Sequence, residues 1–244
     1  MQLLVIILII IVLMYLVRIR HRKYSWEDFS NKFGNHVGEF GVYNLDKDTE
    51  ECTYPDRKIT GSYDTIFKAQ KSDNTTYMLK IAKSNATGAE LDILNYVKPI
   101  TDKYDHQNVI VRIQTNPWKY APHFDAMNQL AYMLSGTKRW ILWNVDFEDY
   151  KEALKFRDDI NNLNFEQLQS YLTKRGISYE TKVMKPYDTL YIKYGTWHYV
   201  ENDNTTKGSI MLNVHFKDAS VKFDEDFRHI WPTQHKRCRN NEFY

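Results

Sequence analysis

The chain has 244 residues, 43% hydrophobic and 15% aromatic, enough to bury the core of one sizeable domain, and a formal net charge of +2. That near-balance excludes the broad basic footprint of a nucleic-acid binder, and the short run "HKRCRNN" near the C-terminus reads as a solvated tail. The two cysteines, Cys52 and Cys238, stand outside any CxxC spacing, which excludes a disulfide framework and a thiolate metal site and fits a reducing compartment.

Leu3 to Val17 is an unbroken apolar run of 15 residues, followed at once by "RIRHRK" (Arg18 to Lys23). With its flanks the run meets the roughly 17–25 residues that a bilayer core requires. Its charge lies on the C-terminal side and no small-residue cleavage site follows, so an anchor is favoured over a removed signal peptide. We therefore expect residues 1–23 to form a transmembrane helix with a basic flank, and residues 24–244 to form one domain. Basic residues stay inside, which makes that domain cytosolic and the protein single-pass. The sequons at Asn74, Asn85 and Asn204 point the other way, but this composition yields such triplets by chance.

Further along, "SWEDFSNKFG" (Ser25 to Gly34) reads as a short helix with a Ser cap and a Gly stop. From His36 to Ala82 the pattern is β-like: "EFGVYNL", then "DTIFKAQ" and "TYMLKIA" around the turn "KSDNT". "GAELDILNYV" is a helix that should end before Pro99, and "NVIVRIQ" is a strand. "APHFDAMNQLAYMLSGTKRWILWN" (Ala121 to Asn144) reads as an apolar hairpin turning at "SGT". Two helical segments follow, "FEDYKEALKFRDDI" and "NFEQLQSYLTKRG", the second closed by Gly176. Strands return in "DTLYIKYGTWHYV" and "GSIMLNVHF". No repeats or linkers interrupt this order of β-rich, helical insert, β-rich, which predicts a mainly β barrel or jelly roll.

Strand residues i and i+2 share a face, so His123 and Asp125 project together while Phe124 points away. His198, beside Gly195 and Trp197 at a strand end, is a third candidate ligand. Two histidines and a carboxylate leave positions open on an octahedral metal, as in non-heme Fe(II) oxygenases; a structural zinc site would want four closed ligands. With His123 inward, Met127, Gln129, Ala131 and Met133 share its face, and Leu130, Tyr132 and Leu134 line a face for helices to cover. His215 shares the face of Asn213. Trp118, Trp140 and Trp143 read as core rather than as a substrate platform.

The segment from Val109 to Lys217 resembles the JmjC and cupin-like Fe(II)/2-oxoglutarate dioxygenases, particularly the small protein hydroxylases related to the asparaginyl hydroxylase of hypoxia-inducible factor. Four features carry the resemblance. His123 and Asp125 match the family's HxD. Lys138, fifteen residues after His123, stands where these enzymes place the lysine for the distal carboxylate of 2-oxoglutarate. "KPYDTLYIKYGTWHYV" is similar to the segment ending in the distal ligand, His198, and Asn213, fifteen residues further on, matches an asparagine near the cosubstrate. Gln129 and Tyr120 depart from the usual Asn and Thr/Ser, and Tyr187 and Lys193 replace a turn glycine and a proline.

The resemblance implies a double-stranded β-helix, the jelly-roll or cupin-type barrel, with flanking helices. It implies Fe(II) on His123, Asp125 and His198, and 2-oxoglutarate as cosubstrate near Lys138, Tyr120, Gln129 and Asn213. It implies hydroxylation of a protein or peptide side chain, with N-methyl demethylation, RNA-base hydroxylation or a non-catalytic binding module as alternatives.

Overall fold

The computed structural model describes residues 26–33, 35, 37–44, 57–62, 75–82, 84, 86, 88–101, 106–115, 119–125, 127–147, 150–203 and 208–216. The expected anchor, both cysteines, the three sequons and the strand "DTIFKAQ" lie outside them. Among the described residues no helix is long and apolar enough to cross a membrane.

In chain order come helix α1 (Trp26–Phe33), strands β1 (Val37–Asn44), β2 (Arg57–Ser62) and β3 (Thr75–Ala82), helix α2 (Ala89–Thr101), and strands β4 (His106–Thr115), β5 (Lys119–His123), β6 (Asn128–Ser135) and β7 (Lys138–Trp143). Helices α3 (Tyr150–Ile160) and α4 (Phe165–Lys174) precede β8 (Tyr179–Met184), β9 (Thr189–Ile192), β10 (Trp197–Asn202) and β11 (Gly208–Phe216). They form two antiparallel sheets, β2-β1-β3-β4-β11-β6-β9 and β5-β10-β7-β8. From β4 onward the chain crosses between the sheets at every step except β7 to β8, which pair with each other in the small sheet, in keeping with the jelly-roll expectation.

Alternation along the strands sorts the core into three layers. Leu130, Tyr132 and Leu134 of β6 join Val109, Val111 and Ile113 of β4 and Ile210, Leu212 and Val214 of β11 under Ile93, Leu94 and Val97 of α2. Ala131 and Met133 face the other way, with Trp140, Leu142, Val200 and Met211, between the sheets. Outside the small sheet, Ile141, Trp143, Trp197 and Tyr199 pack on Phe156 and Ile160 of α3 and Leu168 and Leu172 of α4. Each of these buried side chains contributes about 1.5–3 kcal/mol of hydrophobic stabilisation. Asn164 and Gln167 cap α4 reciprocally, and Arg139 ties it to the sheet through Glu166 and Glu201.

Three expectations are corrected. Ala121 to Asn144 is no hairpin: β6 and β7 lie in different sheets, and the turn between them is a corner. Gly136 makes that corner at φ +78°, where a Cβ would overlap the Gly208 carbonyl oxygen. Helix α2 continues through Pro99 to Thr101, since a proline in the last turn forfeits only one helical bond, and the Thr101 hydroxyl reaches the Lys98 carbonyl at 3.4 Å. Strand β5 ends at His123, so Asp125 comes from the crossing between sheets rather than from a strand.

Candidate metal centre and the polar interior

The side-chain ligand atoms of His123, Asp125 and His198 lie within 4.8 Å of one another. Strand pairing sets this up: His198 of β10 stands opposite His123 of β5, and the two rings are 4.2 Å apart. Beyond β5 the face alternation persists, with Phe124 buried on the helical side against Trp197 at 5.1 Å, and Asp125 on the side of the histidines. The Gly195 amide donates to the Asp125 carbonyl (3.1 Å), and Asn128 Oδ1 accepts from the Tyr194 amide (2.8 Å), so the β9–β10 turn is tied to the crossing that carries the carboxylate.

Both imidazoles have their tautomer fixed. His123 Nδ1 lies 2.8 Å from the Ala121 carbonyl and His198 Nδ1 lies 3.0 Å from the Thr196 carbonyl. A carbonyl only accepts, so each Nδ1 carries the proton and each Nε2 turns a lone pair toward the cluster, the arrangement of metal-ligating histidines. Gln129 donates its amide to Asp125 Oδ2 and accepts from Asn213 Nδ2 at 3.0 Å, which orients the carboxylate. Burial raises the Asp125 pKa, but the neighbouring His123, His198, His215 and Arg112 outweigh it and leave the carboxyl below its ordinary value.

Lys138 lies at the other end of the same interior. Its residue stands opposite Asn202 while His198 stands opposite Leu142, four strand positions away, about 13 Å along β10. The side chain is 0% exposed, and its Nζ donates to Asn202 Oδ1 at 2.9 Å. Asn202 Oδ1 also accepts from the Ser209 hydroxyl (2.6 Å), which lies 3.5 Å from Gln114 Oε1. Burial, reinforced by the charge of Arg112, pushes the Lys138 ammonium well below its ordinary pKa. Val200, Trp140, Met133 and Met211 line the interior between the two ends.

The seven residues expected from the sequence thus fall into two groups. His123, Asp125, His198, Gln129 and Asn213 form one connected cluster, and the Tyr120 ring packs on His123 at 4.2 Å between centroids. Lys138 stands apart, facing Asn202, Ser209 and Gln114. Sequence reasoning missed those three, together with Asn128 and Arg112. The last of these left a signal, a lone charge inside the apolar strand "NVIVRIQ".

Tyr187 resolves the departure from the family's turn glycine. At φ 80° it takes the left-handed conformation a glycine would take, at the third position of a turn closed by the Asp188 amide on the Lys185 carbonyl (3.0 Å). Two imidazoles with one carboxylate suit Fe(II). The Nε of Arg112 and Nε2 of Gln114, both donors, are buried without hydrogen-bond partners. Together with the desolvated Lys138 they fit a polar, anionic ligand in the interior.

Curated proteins give no match to the chain. Residues 96–222, just over half of the chain, match the JmjC domain. In agreement with the antiparallel barrel and its His-Asp-His cluster, the chain belongs to the JmjC domain family, whose members are generally Fe(II)- and 2-oxoglutarate-dependent oxygenases.

Proposed function

We propose that this protein is an Fe(II)- and 2-oxoglutarate-dependent oxygenase that hydroxylates a protein side chain, held at the cytosolic face of a membrane by residues 1–23. The observation that carries the reading is the pairing, in one interior, of a convergent His123–Asp125–His198 cluster with a fully buried lysine. An interior serving only stability would gain little from Lys138, whose desolvation cost an apolar side chain avoids.

In this reading His123 Nε2, Asp125 and His198 Nε2 hold Fe(II), and Lys138 receives the cosubstrate's far carboxylate. Iron, when bound, supplies the activation of dioxygen that protein side chains cannot provide. The chain's own work is positioning. Ala121 and Thr196 hold the Nδ1 protons, Gln129 keeps the carboxylate turned inward, and the apolar wall of Val200, Trp140, Met133 and Met211 keeps water from the reacting atoms. His123 and Asp125 are half-buried where His198 is buried, which leaves that end of the barrel open to a substrate side chain.

Succinate formed from 2-oxoglutarate with Fe(II) and oxygen tests the chemistry. Proteome-wide mass shifts of one oxygen, present with wild type and absent with His123→Ala, test the substrate class. A protein that binds neither Fe(II) nor 2-oxoglutarate in anaerobic titration is not an oxygenase of this kind. One that binds both without forming succinate is a binding module.

A further inference from the structure

Strand β8 is one edge of the small sheet and β5 is the other. The two edges differ. Strand β5 carries Pro122, which has no amide hydrogen to offer, and its pairing with β10 shifts register between His198 and Val200; both features discourage a further strand. Strand β8 pairs with β7 in unbroken register, from Tyr179 opposite Trp143 to Met184 opposite Lys138, and contains neither proline nor glycine. Glu180, Thr181, Lys182 and Val183 are all exposed, Val183 at 54%. Of the four large apolar side chains exposed among the described residues, Val183, Tyr187 and Tyr191 fall on β8, the turn after it and β9. Apolar side chains gathered at an open strand edge mark a contact surface.

The side-chain pattern of β8 selects the partner. Two copies meeting edge to edge about a two-fold axis run antiparallel, and residues directly opposite each other share a face. Such an axis keeps each face of the sheet on its own side, so it passes through a residue set against itself. With the axis at Thr181, Glu180 stands opposite Lys182 of the second copy, Lys182 opposite its Glu180, and Tyr179 opposite its Val183. The ion pair that Lys182 and Glu180 form within one chain at 2.8 Å is then repeated across the seam, and an aromatic ring meets a β-branched side chain. Moving the axis by one residue sets Glu180 against Glu180 or Lys182 against Lys182, which is unfavourable. A lone lysine on an edge strand guards against pairing. A glutamate two residues before it lets one self-pairing through and rejects its neighbours.

We propose that β8 is a homodimer interface, at which two copies of this chain pair antiparallel about Thr181 and join their four-stranded sheets into one continuous sheet. His123 and His198 lie on β5 and β10, separated from β8 by β7, so the seam lies away from the metal cluster.

The test is the oligomeric state of full-length protein in detergent, followed by sedimentation equilibrium from about 1 to 100 μM, the range expected of a small strand-edge interface. Wild type should dimerise. Lys182→Glu makes the seam wholly acidic and Glu180→Lys makes it wholly basic, so each alone should weaken the dimer about 10-fold. An equimolar mixture of the two variants should recover it as a heterodimer, because every opposed pair is then of unlike sign. Both positions are exposed, so neither substitution disturbs the core. Association through the apolar run of residues 1–23 would be insensitive to both. In a background with Cys52→Ser and Cys238→Ser, Thr181→Cys should give a disulfide-linked dimer under mild oxidation, whereas Val183→Cys, which faces Tyr179, should not. Wild type that stays monomeric throughout the range overturns the pairing and leaves the edge to a strand of a different protein. A dimer that neither charge substitution weakens, a mixture that does not recover, or equal cross-linking at both positions also overturns it, by placing the interface elsewhere.

Discussion

Replacing Lys138 by Met should move stability and ligand binding in opposite directions. The ammonium is fully buried and donates to Asn202 Oδ1 at 2.9 Å. When it is removed, that oxygen still accepts from the Ser209 hydroxyl at 2.6 Å, so the substitution orphans no acceptor there. Met keeps most of the stem volume. Exchanging a buried charge for an apolar side chain of similar size should then stabilise the fold by about 1–2 kcal/mol, or about 2–8 °C in melting temperature for a domain of this length. The gain depends on pH with a definite sign. Lys138 has a folded-state pKa below its unfolded value of 10.5, so the unfolded chain binds the extra proton between those two values and wild-type stability rises with pH in that window. The penalty is full below the folded pKa, and the advantage of Lys138→Met should shrink as pH climbs toward 10.5. If Lys138 holds the far carboxylate as proposed, the same variant should lose a charge-assisted contact worth about 1.5–3 kcal/mol and bind 2-oxoglutarate roughly 10–150-fold more weakly, with Fe(II) binding retained. Urea melts at several pH values and an anaerobic titration measure both halves. A variant that is less stable than wild type and binds 2-oxoglutarate as tightly refutes the reasoning and makes the lysine a structural group.

Other substitutions separate the metal cluster from the scaffold. His123→Ala or Asp125→Asn should abolish Fe(II) binding and succinate formation, with no rescue by excess 2-oxoglutarate; restored turnover at high cosubstrate would remove the residue from the ligand set. Gln129→Leu takes away the donor that turns Asp125 inward and the acceptor for Asn213, so Fe(II) affinity should fall about 10–100-fold in a metal titration. Gly136→Ala strains a residue at φ +78° and drives a Cβ into the Gly208 and Ser209 backbone; a loss of about 2–4 kcal/mol is expected from the urea midpoint. Deleting residues 1–23 should release an active domain from membranes, and an inactive product would count against residues 24–244 as a self-sufficient unit.

Much of the site was legible because its signals are local. The alternation of Ala131 and Met133 against Leu130, Tyr132 and Leu134 depends only on strand periodicity, and the two-residue spacing of His123 and Asp125 keeps both on one side although the strand ends at His123. The corner at Gly136 was misread because a tight turn between two apolar strands looks the same whether the strands pair with each other or join opposite sheets. Strand β8 was missed because its edge position leaves Glu180, Thr181, Lys182 and Val183 all exposed, which erases the alternation. Pro99 ended the predicted helix too soon because the rule against proline is weak in a final turn. Asn202 and Ser209 meet Lys138 through pairing between distant strands, which no sequence window contains.

The register of β10 links the His123–Asp125–His198 cluster to Lys138. His198, Val200 and Asn202 face inward while Trp197 and Tyr199 pack on the helices. A slip of one residue would exchange the two sets, placing Trp197 at the metal cluster and Glu201 beside Lys138. The outward residues resist that slip: Trp197 and Tyr199 fill the helical layer, and Glu201 is held by Arg139 and by the Tyr199 hydroxyl at 2.7 Å. The apolar and ionic contacts on the outside of the small sheet therefore fix the distance between ligand and lysine on its inside. In the proposed reading, helices α3 and α4, packed on the outer face of the small sheet, thereby help set the span that one dicarboxylate would have to bridge.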